Sequence, residues 1–457
     1  MRKWGLWALA GLLLGLALGA AWRWPRASLR WPPPEATGVP TRATLEVAFN
    51  APVDRANVEA RLRLSPPAEG TFSWLGDVLR FHPRRPFAPD TTYTLSLEPG
   101  AHSANGLPLP GAHWRFTTGH PRLLYLLEQE GHTELWQIDP AGGQPRRLTY
   151  EAQGVREFAA SPDGRAIAYA APRPDGGADL WIIDAEGHNR RHLADCGQDD
   201  CGGLAWSPDA TWLAFERRPL SRPASGGIGP VFAAPRLYLV DLAAGAVRPL
   251  FDDKAQLGAS PRWSPDGQRL AFIDPNLGAV AVYDRGSGQL TYIPSQRAQL
   301  GDWSPDGRAL VFTQLLVPTH PEGEAESGES GAIAFSRLFR SALDGAPPTD
   351  LSGETDTEDA SPLWSPDGAW IAFGRRQAQR GQQLWLVRPD GSQAHALTDD
   401  LNVNHGGFAW GPDGQTLALV RYTLIPPGAR PAIWLIRADG SGLRPLVEGG
   451  TLPAWIP

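Results

Sequence analysis

The chain has 457 residues, a formal net charge of -7, 42% hydrophobic residues and 19 Trp. This acidic balance excludes nucleic acid as a partner, which needs a basic face, and the apolar content is enough for two or three domain cores. The 51 Gly and 45 Pro indicate a chain dense in turns rather than a disordered one.

Residues 4–22 carry no charged side chain, follow Arg2-Lys3 and precede Arg23 and Arg26. At 1.5 Å per residue, such a run nearly crosses a ~30 Å hydrocarbon core. Trp4, Trp7, Trp22 and Trp24 stand near its ends, where indole prefers the membrane interface. Two readings stand for residues 1–24. The leading one is an uncleaved signal anchor, a single transmembrane helix. The other is a signal peptide cleaved near Gly19-Ala20-Ala21. Either places the folded part outside the cytoplasm, periplasmic or extracellular, and the first makes the protein a single-pass component of the cell membrane. Residues 25–40, with Pro25 and the run Pro32-Pro33-Pro34, read as a stiff Pro-rich linker.

Residues 41–119 alternate apolar and polar side chains in short runs, as in Thr44–Phe49, Val78–Phe81 and Tyr93–Leu97. Period two with Pro, Gly and Asn punctuation predicts a β-sandwich. The stretches Phe49-Asn50-Ala51-Pro52-Val53, Leu79-Arg80-Phe81-His82-Pro83, Pro89-Asp90-Thr91-Thr92-Tyr93 and Trp114-Arg115-Phe116-Thr117-Thr118 resemble the bacterial Ig-like domains of envelope proteins. The resemblance implies a spacer or adhesive module with no chemistry of its own.

From residue 120 to 457 one tetrapeptide recurs. Ser-Pro-Asp-Gly begins at Ser161, Ser264, Ser304 and Ser365, with Ser207-Pro208-Asp209-Ala210 and Gly411-Pro412-Asp413-Gly414 as variants. The copies are spaced 46, 57, 40, 61 and 46 residues apart, the period of a β-propeller. In each unit a first strand ends in Trp and enters this turn. Pro sets φ, Asp closes the turn and Gly supplies positive φ. A second strand, a third and an Asp-Gly turn follow, then a fourth strand ending near Leu-Thr, as at Leu397-Thr398. Ala160 replaces the Trp of the first copy, and Ala210 at a turn glycine predicts a left-handed alanine. The region opens on a second strand at Leu123, whereas Pro453-Ala454-Trp455-Ile456-Pro457 reads as a first strand. The C-terminus therefore supplies the missing strand and closes a ring of seven blades, or of six by the narrower count. The fold class is all-β: an Ig-like sandwich followed by this propeller. The repeats resemble those of TolB-type propellers, which implies an envelope component that binds protein. Related blades occur in prolyl-oligopeptidase-like peptidases.

Cys196 and Cys201, the two cysteines, predict a local disulfide. The turn carboxylates and the recurrent Trp are explained by turn chemistry and blade packing. No Gly-x-Ser-x-Gly elbow, phosphate loop or metal-ligand spacing occurs, so no catalytic residue, cofactor or metal is assigned. The face opposite the tight turns carries acidic loops with Asp199, Asp200, Asp252, Asp253, Glu322, Glu324, Glu326, Glu354, Asp356, Glu358, Asp359, Asp399 and Asp400. Variable loops on a rigid scaffold are where binding resides, so these residues are the candidate partner-binding face, with a basic envelope protein as the expected partner. The leading function is a membrane-tethered, non-enzymatic scaffold for protein–protein interaction. The alternative is a hydrolase or a small-ligand or glycan receptor using the propeller channel. Converging His, Asp or Arg in the channel would favour that alternative, whereas an apolar or merely acidic mouth would favour the scaffold.

Overall fold

The computed structural model describes residues 24–221, 231–316, 335–353, 357–377, 381–424 and 428–457. The apolar segment 4–22 and the candidate residues Glu322, Glu324, Glu326, Glu354 and Asp356 lie outside these. No helix among the described residues is long and apolar enough to cross a membrane. The chain divides into two compact units, one ending at His120 and the other beginning at Pro121.

In the first unit, two four-stranded sheets form a sandwich. One pairs Ala27–Trp31, Leu45–Phe49, Val78–Pro83 and Gly70–Leu75; the other pairs Ala36–Val39, Ala112–Thr118, Thr92–Leu97 and Leu62–Ser65. Alternation fixes which side chains point inward. Val47, Leu79, Phe81, Tyr93, Leu95 and Phe116 form the core, and the Tyr93 and Phe116 rings stack at 5.6 Å. Residues 25–40 are not the extended linker that their prolines suggest. Ala27–Trp31 pairs with Leu45–Phe49, and Ala36–Val39 runs parallel to Ala112–Thr118. The three prolines fall at the passage between the two sheets, where no ladder amide is needed.

Among the described residues the second unit consists of four-stranded antiparallel sheets and one two-stranded ribbon, Leu220–Ser221 with Val231–Phe232. Five stand alone, and an eight-stranded sheet joins two more through one parallel bridge, Ala178↔Asp200, giving seven four-stranded units. One of them takes its first strand from the C-terminus: Gly450–Ile456 pairs with Arg122–Gln129, Trp455 opposite Leu123. We number the units by the chain order of their second strands, so this one is blade 1 and Ala432–Arg437 lies in blade 7. Apolar clusters lie between consecutive units. One holds Leu180 and Ile182 of blade 2 together with Leu213 and Phe215 of blade 3. The Cys196–Cys201 disulfide is fully buried in the same cluster.

The Ser-Pro-Asp-Gly turns share one geometry. Ser161 Oγ donates to Asp163 Oδ1 at 2.6 Å, Asp163 accepts the Arg165 amide, and the Gly164 amide donates to the Ser161 carbonyl at φ +69°. The equivalent serine–aspartate bonds at Ser207, Ser264, Ser304 and Ser365 measure 2.5–2.6 Å. Ala210 keeps the glycine's conformation at φ +54°. The Trp closing each first strand reaches the preceding blade. Trp206, Trp263, Trp303 and Trp455 donate their indole N–H to the carbonyls of Ala159, Ala205, Arg262 and Ala409 at 2.9–3.1 Å. The Leu-Thr ending of the fourth strand is a second latch. Thr149, Ser352 and Thr398 accept the amides of Leu135, Leu338 and Leu384, and Ser352 and Thr398 also bond Asp359 and His405 of the following blade.

Candidate functional site

The first strands carry a second repeated feature that the tetrapeptide count does not show. Near residues 202, 259, 300, 360, 406 and 451 the pairing register slips a few residues before the Trp position. In five of these bulges one residue is left-handed: Gly203, Ser260, Ser361, Gly407 and Leu452. A bulge bends its strand and re-aims the side chains next to it. Strand segments from five blades converge on a cavity of about 650 Å³, within the usual range for ligand sites: four bring the bulges at Gly203, Ser260, Gly407 and Leu452, and the fifth brings Arg156, Glu157 and Phe158. Because the first strands run from the blade-to-blade connections towards the tight turns, the cavity opens on the connection side.

Three arginines and three carboxylates line it: Arg156, Arg218, Arg262, Asp200, Glu157 and Glu216. Arg156 donates to Asp200 at 2.7 Å and to the Cys201 carbonyl at 2.6 Å, and Arg218 donates to Glu216 at 2.6 Å. Two carboxylates reach across to the next blade's bulge, where Glu157 accepts the Gly203 amide at 2.9 Å and Glu216 the Ser260 amide at 2.7 Å. Burial in the wall pushes the Glu157 carboxyl above its usual range, against the Gly203 amide and Arg156, which pull it down. Asp302, next along the ring from Arg262, is likewise pushed up by burial, with Arg262 opposing. Glycine at 202 and 203 leaves room for these glutamates. A Cβ on Gly202 would meet Glu157 Oε1 at 2.0 Å, and one on Gly203 would meet Glu216 Cγ at 2.6 Å.

Arginines and acids therefore do converge there, the feature expected to favour a hydrolase or a small-ligand or glycan receptor over a scaffold. The lining holds no His, Cys or Lys. Among the described residues no group of three or more His, Cys, Asp and Glu side chains is placed to hold a metal ion.

The described candidate acids fall into four groups. Asp359 is fully buried and takes a bidentate pair from Arg375 at 2.7 and 2.8 Å plus a 2.6 Å bond from Ser352, so it is not a surface carboxylate. Asp200 is the buried partner of Arg156 in the cavity wall. Asp199, Glu358 and Asp400 are paired with Arg217, Arg376 and Arg421. Asp252, Asp253 and Asp399 stay exposed on the connection side. The arginines that neutralise this face lie mostly on second strands, and sequence distance hid the pairs: Asp359 and Arg375 are 16 residues apart.

Exposed large apolar side chains gather on the same side. Tyr150, Leu220, Val231, Leu277, Leu401, Tyr422 and Leu424 stand in or beside the connections, with Tyr150 76% exposed, whereas Val247 and Leu443 stand beside tight turns.

Comparison with known proteins agrees with this architecture. Residues 25–118 match the family described as bacterial Ig-like domain, a span that begins where the first sandwich strand is observed. The Tol-Pal system protein TolB of Gluconobacter oxydans is 28% identical over 301 residues, covering 64% of this chain and 59% of that protein. The chain thus spans well under two thirds of that relative's length. The crystal structure of TolB from Acinetobacter baumannii aligns over 74% of this chain and 84% of its own at 19% identity and a TM-score of 0.42. A prolyl endopeptidase structure aligns over 87% of this chain and 52% of its own at 12% identity and a TM-score of 0.50, a likeness of fold alone. The chain carries a bacterial Ig-like domain at residues 25–118, and its second unit is similar to TolB-type propellers.

Proposed function

We propose that this chain is an exported envelope protein, tethered to the membrane through residues 4–22, whose seven-bladed propeller is a non-enzymatic scaffold that binds a protein partner on its connection face. The observation that carries this reading is the asymmetry of exposed apolar side chains, most of which stand on the connection side. Soluble surfaces tolerate scattered apolar residues, but a concentration on one face rimmed by charge marks an interaction site. The TolB relative supports an envelope setting. The exposed carboxylates Asp252, Asp253 and Asp399 give that face a rim able to meet a basic neighbour.

The second reading, a ligand receptor or enzyme working in the channel, is favoured by the converging arginines and acids. Against an enzyme, each of the three lining carboxylates is already engaged in the wall by an amide or an arginine, and Ser260 offers the lining's one hydroxyl with no base hydrogen-bonded to it.

Photo-crosslinking in cells tests the scaffold. A photoreactive residue at Leu424 should yield a protein adduct, and one at Leu443, equally exposed beside a tight turn, should not. Adducts from Leu443 alone, or from neither position, contradict it.

A further inference from the structure

We propose that the cavity is a carboxylate receptor: it seats a carboxylate of an extended peptide segment from the partner, with an apolar residue beside it. This deepens the scaffold reading and rests on it.

The acidic sequence hides a surface of the opposite sign. Asp200 and Glu216 keep only 7% and 6% of their side chains exposed, behind Arg156 and Arg218, which keep 39% and 45%. Arg262 is exposed, and its hydrogen bond goes to the neighbouring Pro261 carbonyl at 2.9 Å. Glu157 is the one acid with about a third of its side chain exposed, 32%, and the Gly203 amide holds one of its oxygens. A guanidinium has five N–H donors in a rigid fork. Arg156 spends donors on Asp200 and Cys201, Arg218 on Glu216 and Arg262 on Pro261, so most of the donors on these three lining arginines are left for a ligand. A carboxylate matches that fork, two donors to two oxygens, in a recess where water screens it less than at the open surface.

The rest of the lining selects the carrier. Phe158, Leu204, Phe408 and Leu452 offer an apolar seat, with Leu452 half exposed. Ser260 is the one neutral polar side chain in the lining, so what the cavity offers a ligand is charge beside apolar contact, which suits a peptide carboxylate next to an apolar residue. At about 650 Å³ the cavity admits a chain segment and not a folded domain.

The test uses the full chain and calorimetric titration with four probes: N-acetyl-Leu-Phe with a free carboxylate, the same peptide amidated, N-acetyl-Leu-Glu-amide, and digalacturonate. The free acid or the glutamyl peptide should bind about tenfold or more tighter than the plain amide, weakening with salt. Preference between these two separates a chain terminus from an acidic side chain. Arg262→Gln, at an exposed position whose hydrogen bond goes to a neighbouring carbonyl, should lower that affinity about tenfold while the unfolding midpoint shifts little, since Asp302 loses a positive charge beyond ion-pair contact. Arg218→Lys, which retains a cation beside Glu216, should lower it less. Equal binding of acid and amide, no binding of any peptide, unaltered affinity in Arg262→Gln, or preference for digalacturonate would each overturn the proposal. Crosslinking at Leu424 separates its failure from that of the scaffold. An adduct persisting while no carboxylate peptide binds sinks the receptor alone, whereas loss of the adduct sinks the reading beneath it.

Discussion

The two faces of the propeller unit obey different rules. On the tight-turn face each Ser-Pro-Asp-Gly copy uses its own polar atoms internally, and a departure such as Ala210 is forced back into the shared conformation. On the connection face the polar atoms bond outward, between strands and between blades. Asp359 meets Arg375, Thr398 meets His405 and Glu216 meets the next bulge. A motif that satisfies itself needs no neighbours, so it repeats. Groups that need distant partners vary blade by blade, and that variation is what builds a specific cavity.

The sharpest way to break this contrast is at the buried pair. Asp359→Ala leaves the Arg375 guanidinium charged and buried against the Phe373 and Trp385 rings, and should cost about 3–5 kcal/mol in denaturant unfolding. A turn carboxylate removed in the same way, Asp306→Ala, should cost about 1 kcal/mol, since it loses hydrogen bonds that water can replace. Similar losses at the two sites would erase the distinction.

The next effect is one of pH. His405 is buried, and burial, helped by Arg421, lowers its pKa to about 4, with Asp400 and the Gln382 backbone opposing. As pH falls the unfolded chain takes up the proton first, near its ordinary value of 6.5. The contribution is therefore fully present above about 6.5 and is lost progressively as pH falls to about 4, where the loss amounts to about 3 kcal/mol. Unfolding curves at pH 7 and 4.5 should converge for His405→Gln relative to the native chain. A pH profile unchanged by the substitution would show that the latch does not exclude the proton.

A smaller effect distinguishes one Trp from the others. Trp263→Phe loses the indole bond to Ala205 and should cost about 1 kcal/mol. Trp364→Phe should be close to neutral, because the Trp364 indole N–H is buried without an acceptor. Equal costs would mean that ring packing rather than the inter-blade bond holds the blades. Smallest of all, Ala210→Gly should stabilise by up to about 1 kcal/mol by relieving the left-handed alanine, read as a raised unfolding midpoint.

The tight-turn face, the blade order and the closing C-terminal strand were legible in the sequence because each depends on local chemistry at a fixed spacing. The strand role of residues 27–39 was masked by three prolines that fall between the sheets. The acidic character of the connection face was legible only as composition. The pairing of Asp199, Glu358, Asp359 and Asp400 with arginines on second strands is a product of sheet register. The cavity had one faint signal, the residue three before each Trp. Gly203, Ser260, Ser361 and Gly407 at that position mark the left-handed bulge that bends the strand there.

The central claim is that partner recognition belongs to the connection face. Its most direct test measures partner affinity for two full-length variants, one carrying Tyr422→Glu and Leu424→Glu, the other Val247→Glu and Leu443→Glu. The account predicts that the first loses at least tenfold in affinity and the second binds as the native chain does. Retained binding in the first variant together with loss in the second would contradict it.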